Sequence, residues 1–113
     1  MNYTNIYALF RERIAEYAGR DVFYVRHEGE WRGSSWEKFG EDAHAFASAL
    51  LASGLTRGAS VCVLMGNVPE WPVCDVGTIA AGGVGCGLYT TSSAEQCAYI
   101  IKHSDAEFVV VDT

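Results

Sequence analysis

The fold is decided by residues 61–112, VCVLMGNVPEWPVCDVGTIAAGGVGCGLYTTSSAEQCAYIIKHSDAEFVVVD. Val61–Met65 is an unbroken apolar run, the pattern of a strand covered on both faces of a parallel sheet. Asn67 is placed to cap a helix from Val68 to about Ala81, with Pro69 in its first turn. Glu70 and Asp75 are its only charges, so this helix reads as largely buried. Val84–Leu88 reads as a second, glycine-rich strand. Ser93 caps a helix to His103, and Phe108–Asp112 reads as a third buried strand. Alternation β-α-β-α-β with short links favours parallel strands joined by right-handed crossovers, hence an α/β sheet.

Upstream, Ile6, Leu9, Phe10, Ile14 and Tyr17 recur at helical spacing, with Gly19 as a stop. Asp21–His27 and Glu30–Gly33 flank Glu28–Gly29 and read as a β-hairpin. Ser34 and Glu37 have capping-box spacing and open a helix to about Ser53. Its apolar face is Trp36, Phe39, Ala43, Phe46, Ala47 and Leu50, and Gly54 suits its αL end. The chain thus divides into residues 1–58, carrying helix, hairpin and capped helix, and residues 59–113, carrying the β-α-β-α-β unit. Residues 1–57 hold seven of the eight basic groups and eight acidic ones; the rest hold Lys102 and six acids among apolar runs. The second part is expected to be core, with the first partly wrapped around it.

The 113 residues suffice for one core, and a composition half apolar and 19% charged is globular. A net charge of −6 argues against nucleic acid, whose binding needs clustered cations. Met1–Phe10 lacks the basic start and long apolar run of a signal peptide. Val76–Leu88 is too short to span a bilayer, so no transmembrane segment is expected. Cys62, Cys74, Cys86 and Cys97 form no CxxC pair; their spacing suits one buried thiol per element, and free thiols fit a reducing cytoplasm.

The run from Gly82 to Gly87 invites a nucleotide-binding reading, but its glycines precede and enter a strand instead of leading into a helix. Close approach of helix and strand is the simpler account. Gly66–Pro69 and Tyr89–Ser93 both follow strands, where open α/β sheets bind ligands. Capping and turn bonds explain most of their polar content. His27, His44 and His103 have no Cys, Asp or Ser partner at an informative spacing. Trp31, Trp36 and Trp71 read as core or rim packing. From these residues alone there is no catalytic, cofactor-binding or metal-ligating set.

From residue 34 onward the chain resembles adenylate-forming enzymes, the superfamily of acyl-CoA synthetases, luciferases and peptide-synthetase adenylation domains. The resemblance rests on Ser35–Phe39, Leu51–Leu55 with Gly58, Val61–Met65, Asn67–Trp71, Ala80–Val84 and Gly87–Ile101, in that order. The last segment is most similar to the long-chain fatty acid–CoA ligase branch, including its bubblegum-type members. The resemblance implies an incomplete, N-terminal part of the large domain of an acyl-CoA synthetase. The whole enzyme would use ATP, Mg2+ and coenzyme A to turn a fatty acid into its thioester through an acyl-adenylate. The phosphate loop and catalytic lysine of that family lie downstream of the matched stretches, so no catalytic residue carries over and this part alone is expected to be inactive. Termination of the chain on a buried-type strand fits the same expectation. Two alternatives stand beside it: a stand-alone α/β module that forms a homo-oligomer through an exposed sheet edge, and a small flavodoxin-like nucleotide binder, disfavoured by the missing phosphate loop.

Overall fold

The computed structural model describes residues 4–112; Met1–Tyr3 and Thr113, where the readings of the chain's start and of its last residue fall, lie outside them. Helix α1 spans Ile6–Tyr17 and is capped by Asn5, whose Oδ1 accepts from the Ala8 N–H at 2.8 Å. Strands β1 (Asp21–His27) and β2 (Glu30–Ser35) pair antiparallel. The hairpin turns at Glu28 (φ 50°) and Gly29 (φ 81°). Two successive positive φ values give a type I′ turn, whose twist matches that of the strands.

Helix α2, Trp36–Ala52, starts one residue later than the sequence suggested. Ser35, not Ser34, is the cap, and its Oγ accepts from the Lys38 N–H at 3.1 Å. The hairpin sets this start: β2 stays extended through Ser35, which pairs with Asp21 and is both the last residue of the ladder and the cap, so the first helical residue is Trp36. The third helical residue is therefore Lys38, and Glu37 is out of register for a capping box. The apolar face is as read, with Phe39, Ala43, Ala47 and Leu50 buried. At its end Gly54 adopts φ 91°, and Leu55 N donates to Leu50 O at 3.0 Å.

Strands β3 (Ser60–Leu64), β4 (Val84–Gly87) and β5 (Ala106–Val111) form a parallel sheet in the order β4-β3-β5. Helix α3 (Glu70–Ala80) joins β3 to β4, and α4 (Ala94–His103) joins β4 to β5. The unit is β-α-β-α-β as expected. Alternation along β3 separates two faces. Val61 packs with Leu50, Leu55 and Phe46, and Val63 with Cys74 and Trp71, so this face meets α2 and α3. Cys62 points the other way, with Sγ 3.5 Å from Ser104 Oγ at the end of α4.

Burial of Val61 and Val63, both essentially inaccessible, is worth about 1.5–3 kcal/mol each. A second cluster centres on Phe10, Phe39 and Ala43, with Phe23 and Trp36 against it. Phe39 is the hub, with ring centroids 4.8 Å from Phe10 and 4.9 Å from Phe23. Of residues 4–58, α2 and Leu55 pack on one face of the sheet, while α1 and the hairpin pack against α2 and α3.

Three further expectations need correction. Asn67 does not cap α3: Pro69 holds that position with no side-chain bond, and the helix begins at Glu70. The turn before it is closed by backbone, with Val68 N donating to Gly66 O and Trp71 N to Val68 O, each at 3.0 Å. In α3 itself only Cys74, Gly77 and Thr78 are buried. Strand β5 begins at Ala106 and alternates between half-buried and exposed, because α2 and α3 cover one of its faces while Val109 and Val111 stand exposed on the other. Helix α4 has no buried residue at all. Of the two readings of Trp31, core or rim, exposure of 68% on β2 leaves the rim.

Candidate functional site

The sheet positions two loops at the same edge, because β3 and β4 run parallel and both end there. Residues Met65–Pro69 leave β3, and Leu88–Ser93 leave β4. The backbone fixes their relation: Leu88 N donates to Val63 O at 2.9 Å. Between the loops lies an open cleft of about 540 Å3, lined by Met65, Gly66, Asn67, Trp71, Gly87, Leu88, Tyr89 and Thr90. Such a crevice beyond the carboxyl ends of the strands is where open α/β sheets take ligands.

Met65 and Leu88 are buried and form its apolar floor. Trp71, on the first turn of α3, lies against Gly87; a Cβ added there would be 3.1 Å from Trp71 Cζ2. The absence of a side chain at Gly87 thus gives the indole its seat. The loop glycine Gly66 donates its N–H to Asp112 Oδ2 at 3.0 Å, tying the end of β5 to the rim of the cleft. Tyr89 projects from the opposite rim, 80% exposed.

Polar groups at this edge are partly committed. Ser93 Oγ accepts from Gln96 N at 3.1 Å, and Gln96 Oε1 accepts from Ser93 N at 2.9 Å, a complete capping box for α4. Ser92 N closes a turn onto Tyr89 O at 3.0 Å. The lining offers hydroxyl, amide and backbone groups around an aromatic and apolar floor. It contains no cation and no carboxylate. It can bind an aromatic or apolar group with hydrogen-bonding edges, but it has no charge of its own to offset a phosphate.

The two loops noticed in the sequence are therefore brought together, and the glycine run lies beside them as packing. Gly83 would place a Cβ 3.0 Å from Thr78 Cγ2, and Gly85 would place one 2.7 Å from Asp75 Oδ1. Asp75 is desolvated there, and burial pushes its carboxyl up from the ordinary range. The histidines stay apart. His44 Nε2 is bonded to Tyr7 Oη at 2.9 Å, while His103 stacks on Tyr99 at 5.5 Å between ring centroids. Each cysteine does sit on its own element; Cys62 and Cys74 are buried, Cys86 and Cys97 only half-buried. What the sequence did not mark was the pairing of Trp71 with Gly87, which joins residues sixteen positions apart. The signal available was a tryptophan shortly after one strand-end loop and a glycine just before the next.

The architecture matches solved adenylate-forming enzymes. NpsA of Klebsiella oxytoca, in complex with 3-hydroxyanthranilyl-AMSN, superposes with a TM-score of 0.87 at 16% identity, over 99% of this chain and 22% of that one. The fatty acid AMP ligase of Legionella pneumophila gives 0.83 at 18% identity, over 93% of this chain and 19% of that one. The fold is that of the N-terminal domain of such enzymes. In sequence, the model of the AMP-binding enzyme family matches residues 10–113, and the chain belongs to that family. It is 36% identical over 108 residues to the long-chain-fatty-acid–CoA ligase ACSBG1 of Rattus norvegicus, covering 96% of this chain and 15% of that protein. It is 34% identical over 107 residues to ACSBG2 of Xenopus laevis, covering 95% and 14%. The chain thus spans about one-seventh of the length of these relatives.

Proposed function

We propose that this chain is the N-terminal part of a long-chain fatty acid–CoA ligase, which activates a fatty acid with ATP as its acyl-adenylate and passes the acyl group to coenzyme A. The observation that carries this reading is identity of 34–36%, over nearly the whole chain, to proteins named as such ligases. The strand-end cleft is consistent with a ligand-facing edge contributed to a larger site. The chain alone is inactive in this reading. Adenylate formation needs the charge of the phosphates offset, and the cleft lining has no cation to do so. Nor is there, among the described residues, a group of three or more His, Cys, Asp or Glu able to hold Mg2+. The residues present do not fit ATP phosphates or magnesium, so no chemical step is assigned to them. A cytoplasmic location accompanies the proposal, supported by four free thiols; among the described residues no helix is long and apolar enough to cross a membrane.

The test is ATP–pyrophosphate exchange driven by fatty acids of graded chain length. The chain continued into the remainder of a ligase is expected to exchange, and the 113 residues alone are expected to show none. No exchange by the longer protein with any fatty acid would refute the proposal.

A second reading has one observation in its favour. Among the described residues, both outer strands of the order β4-β3-β5 keep an unpaired edge, and such edges invite pairing with another chain. A stand-alone module would then be a dimer without catalysis. Light scattering on the purified chain decides this, since a monomer at micromolar concentration excludes it.

A further inference from the structure

Asp112 follows β5 at a point where backbone alone already closes the sheet. Val111 is the register partner of Leu64, and Asp112 N donates to Leu64 O at 3.3 Å. The exposed side chain of Asp112 adds nothing to that ladder. It reaches past the end of β3 instead, where Oδ2 accepts the Gly66 N–H at 3.0 Å. A bond from a backbone N–H to a carboxylate is charge-assisted and roughly twice as strong as a neutral one.

From Gly66 the hold passes to the cleft in two backbone steps. Gly66 O accepts from Val68 N, and Val68 O accepts from Trp71 N, each at 3.0 Å. Asn67, carried between Gly66 and Val68, and Trp71, at the end of the series, both line the cleft. The Asn67 side chain makes no hydrogen bond among the described residues, so its amide is free to meet a ligand. Trp71 rests on Gly87 and supplies an apolar wall.

We propose that Asp112 is a positioning residue for the strand-end cleft: through Gly66 its carboxylate sets the Asn67 amide and the Trp71 indole against the uncharged, hydrogen-bonding part of a substrate. The bearing on a substrate rests on the reading of this chain as part of a ligase; the hydrogen bonds do not. An uncharged part is specified because the lining holds neither cation nor carboxylate. Asp112 itself lies outside the lining and acts only through the loop. Glu107, near the start of β5, provides the comparison: it accepts the Thr56 N–H at 2.8 Å in the same manner, on a loop that does not line the cleft.

The experiment takes the chain continued into the remainder of a ligase, as parent, Asp112→Ala, Asp112→Asn and Glu107→Ala. Amide hydrogen exchange followed by mass spectrometry reads the segment 66–71. Asp112→Ala is expected to speed its exchange about tenfold, through loss of one bond to a charged acceptor. Asp112→Asn keeps an acceptor and is expected to stay close to the parent, and Glu107→Ala is expected to leave this segment unchanged. KM and kcat are then measured for fatty acid, ATP and coenzyme A in turn. Asp112→Ala is expected to raise KM for one of the three about tenfold while kcat holds, with Asp112→Asn again close to the parent. Unchanged exchange at 66–71 in Asp112→Ala, or KM values that all stay or all rise together, overturns the proposal. So does an Asp112→Asn variant as impaired as Asp112→Ala. A longer protein without ligase activity refutes the ligase reading, and the exchange rates still decide whether Asp112 holds the loop.

Discussion

Gly77 of α3 lies directly on the backbone of α2 at Ala43: a Cβ at Gly77 would stand 2.8 Å from the Ala43 carbonyl oxygen and 2.7 Å from Phe46 Cδ1. The two helices share this small-residue crossing, with Ala43 fully buried beneath it. Because one obstacle is backbone, no side-chain rotation relieves the clash. Gly77→Ala is therefore expected to destabilise the chain by about 1–3 kcal/mol, despite the better helix propensity of alanine. Urea unfolding followed by circular dichroism measures this, and an unchanged midpoint would contradict the crossing.

The position of the α2 cap gives a paired test. Ser35→Ala removes the acceptor for Lys38 N and is expected to cost about 1 kcal/mol. Ser34→Ala, on a residue still within the hairpin ladder, is expected to cost less than half as much. Thermal melts of the two variants side by side would reverse in order if the helix began where the sequence pattern alone put it.

Two carboxylates are expected to give pH responses of opposite sign. Glu107 Oε2 accepts the Thr56 N–H at 2.8 Å, and that bond holds its carboxyl below the usual glutamate range. Its contribution is present above the ordinary glutamate pKa and fades as pH falls through the lowered one. Asp75 is raised by desolvation. Its protonated form is favoured on folding, so stability associated with it is fullest below the ordinary aspartate pKa and is lost as pH rises through the raised value. Glu107→Gln should therefore flatten the acid limb of stability against pH. Asp75→Asn should raise the melting temperature at pH 7 and leave it little changed at pH 3. Melting curves from pH 2.5 to 8 check both, and an Asp75→Asn variant less stable at neutral pH would show that the carboxylate has a favourable partner.

In the cleft, Gly87→Val is expected to drive the Trp71 ring off its seat and narrow the space between the two loops. In a chain also carrying Trp31→Phe and Trp36→Phe, the remaining indole should shift its emission to longer wavelength as it is pushed toward water. Unchanged emission would mean that Trp71 does not rest on Gly87.

Much of this was legible in the sequence. The apolar run Val61–Met65, the helical stripe from Trp36 to Leu50 and the cap at Ser93 are local patterns, and each produced the element expected of it. The misplacements have a common cause. Ser34 and Asn67 are both good caps by type, but the length of β2 and a backbone turn put the helix starts elsewhere. The cleft was legible only in halves: both loops stood out, and what joins them did not.

The sequence by itself determined the order and type of the elements and the membership of the AMP-binding enzyme family. These follow from period, turn chemistry and residue identity, which act over a few positions. Only the tertiary structure decided which loops share an edge, that Trp71 rests on Gly87, and that one face of the sheet is packed while Val109 and Val111 remain bare on the other. Those relations depend on strand order and register. A parallel crossover sets them by bringing together residues more than a dozen positions apart, and no local pattern records where a strand will lie.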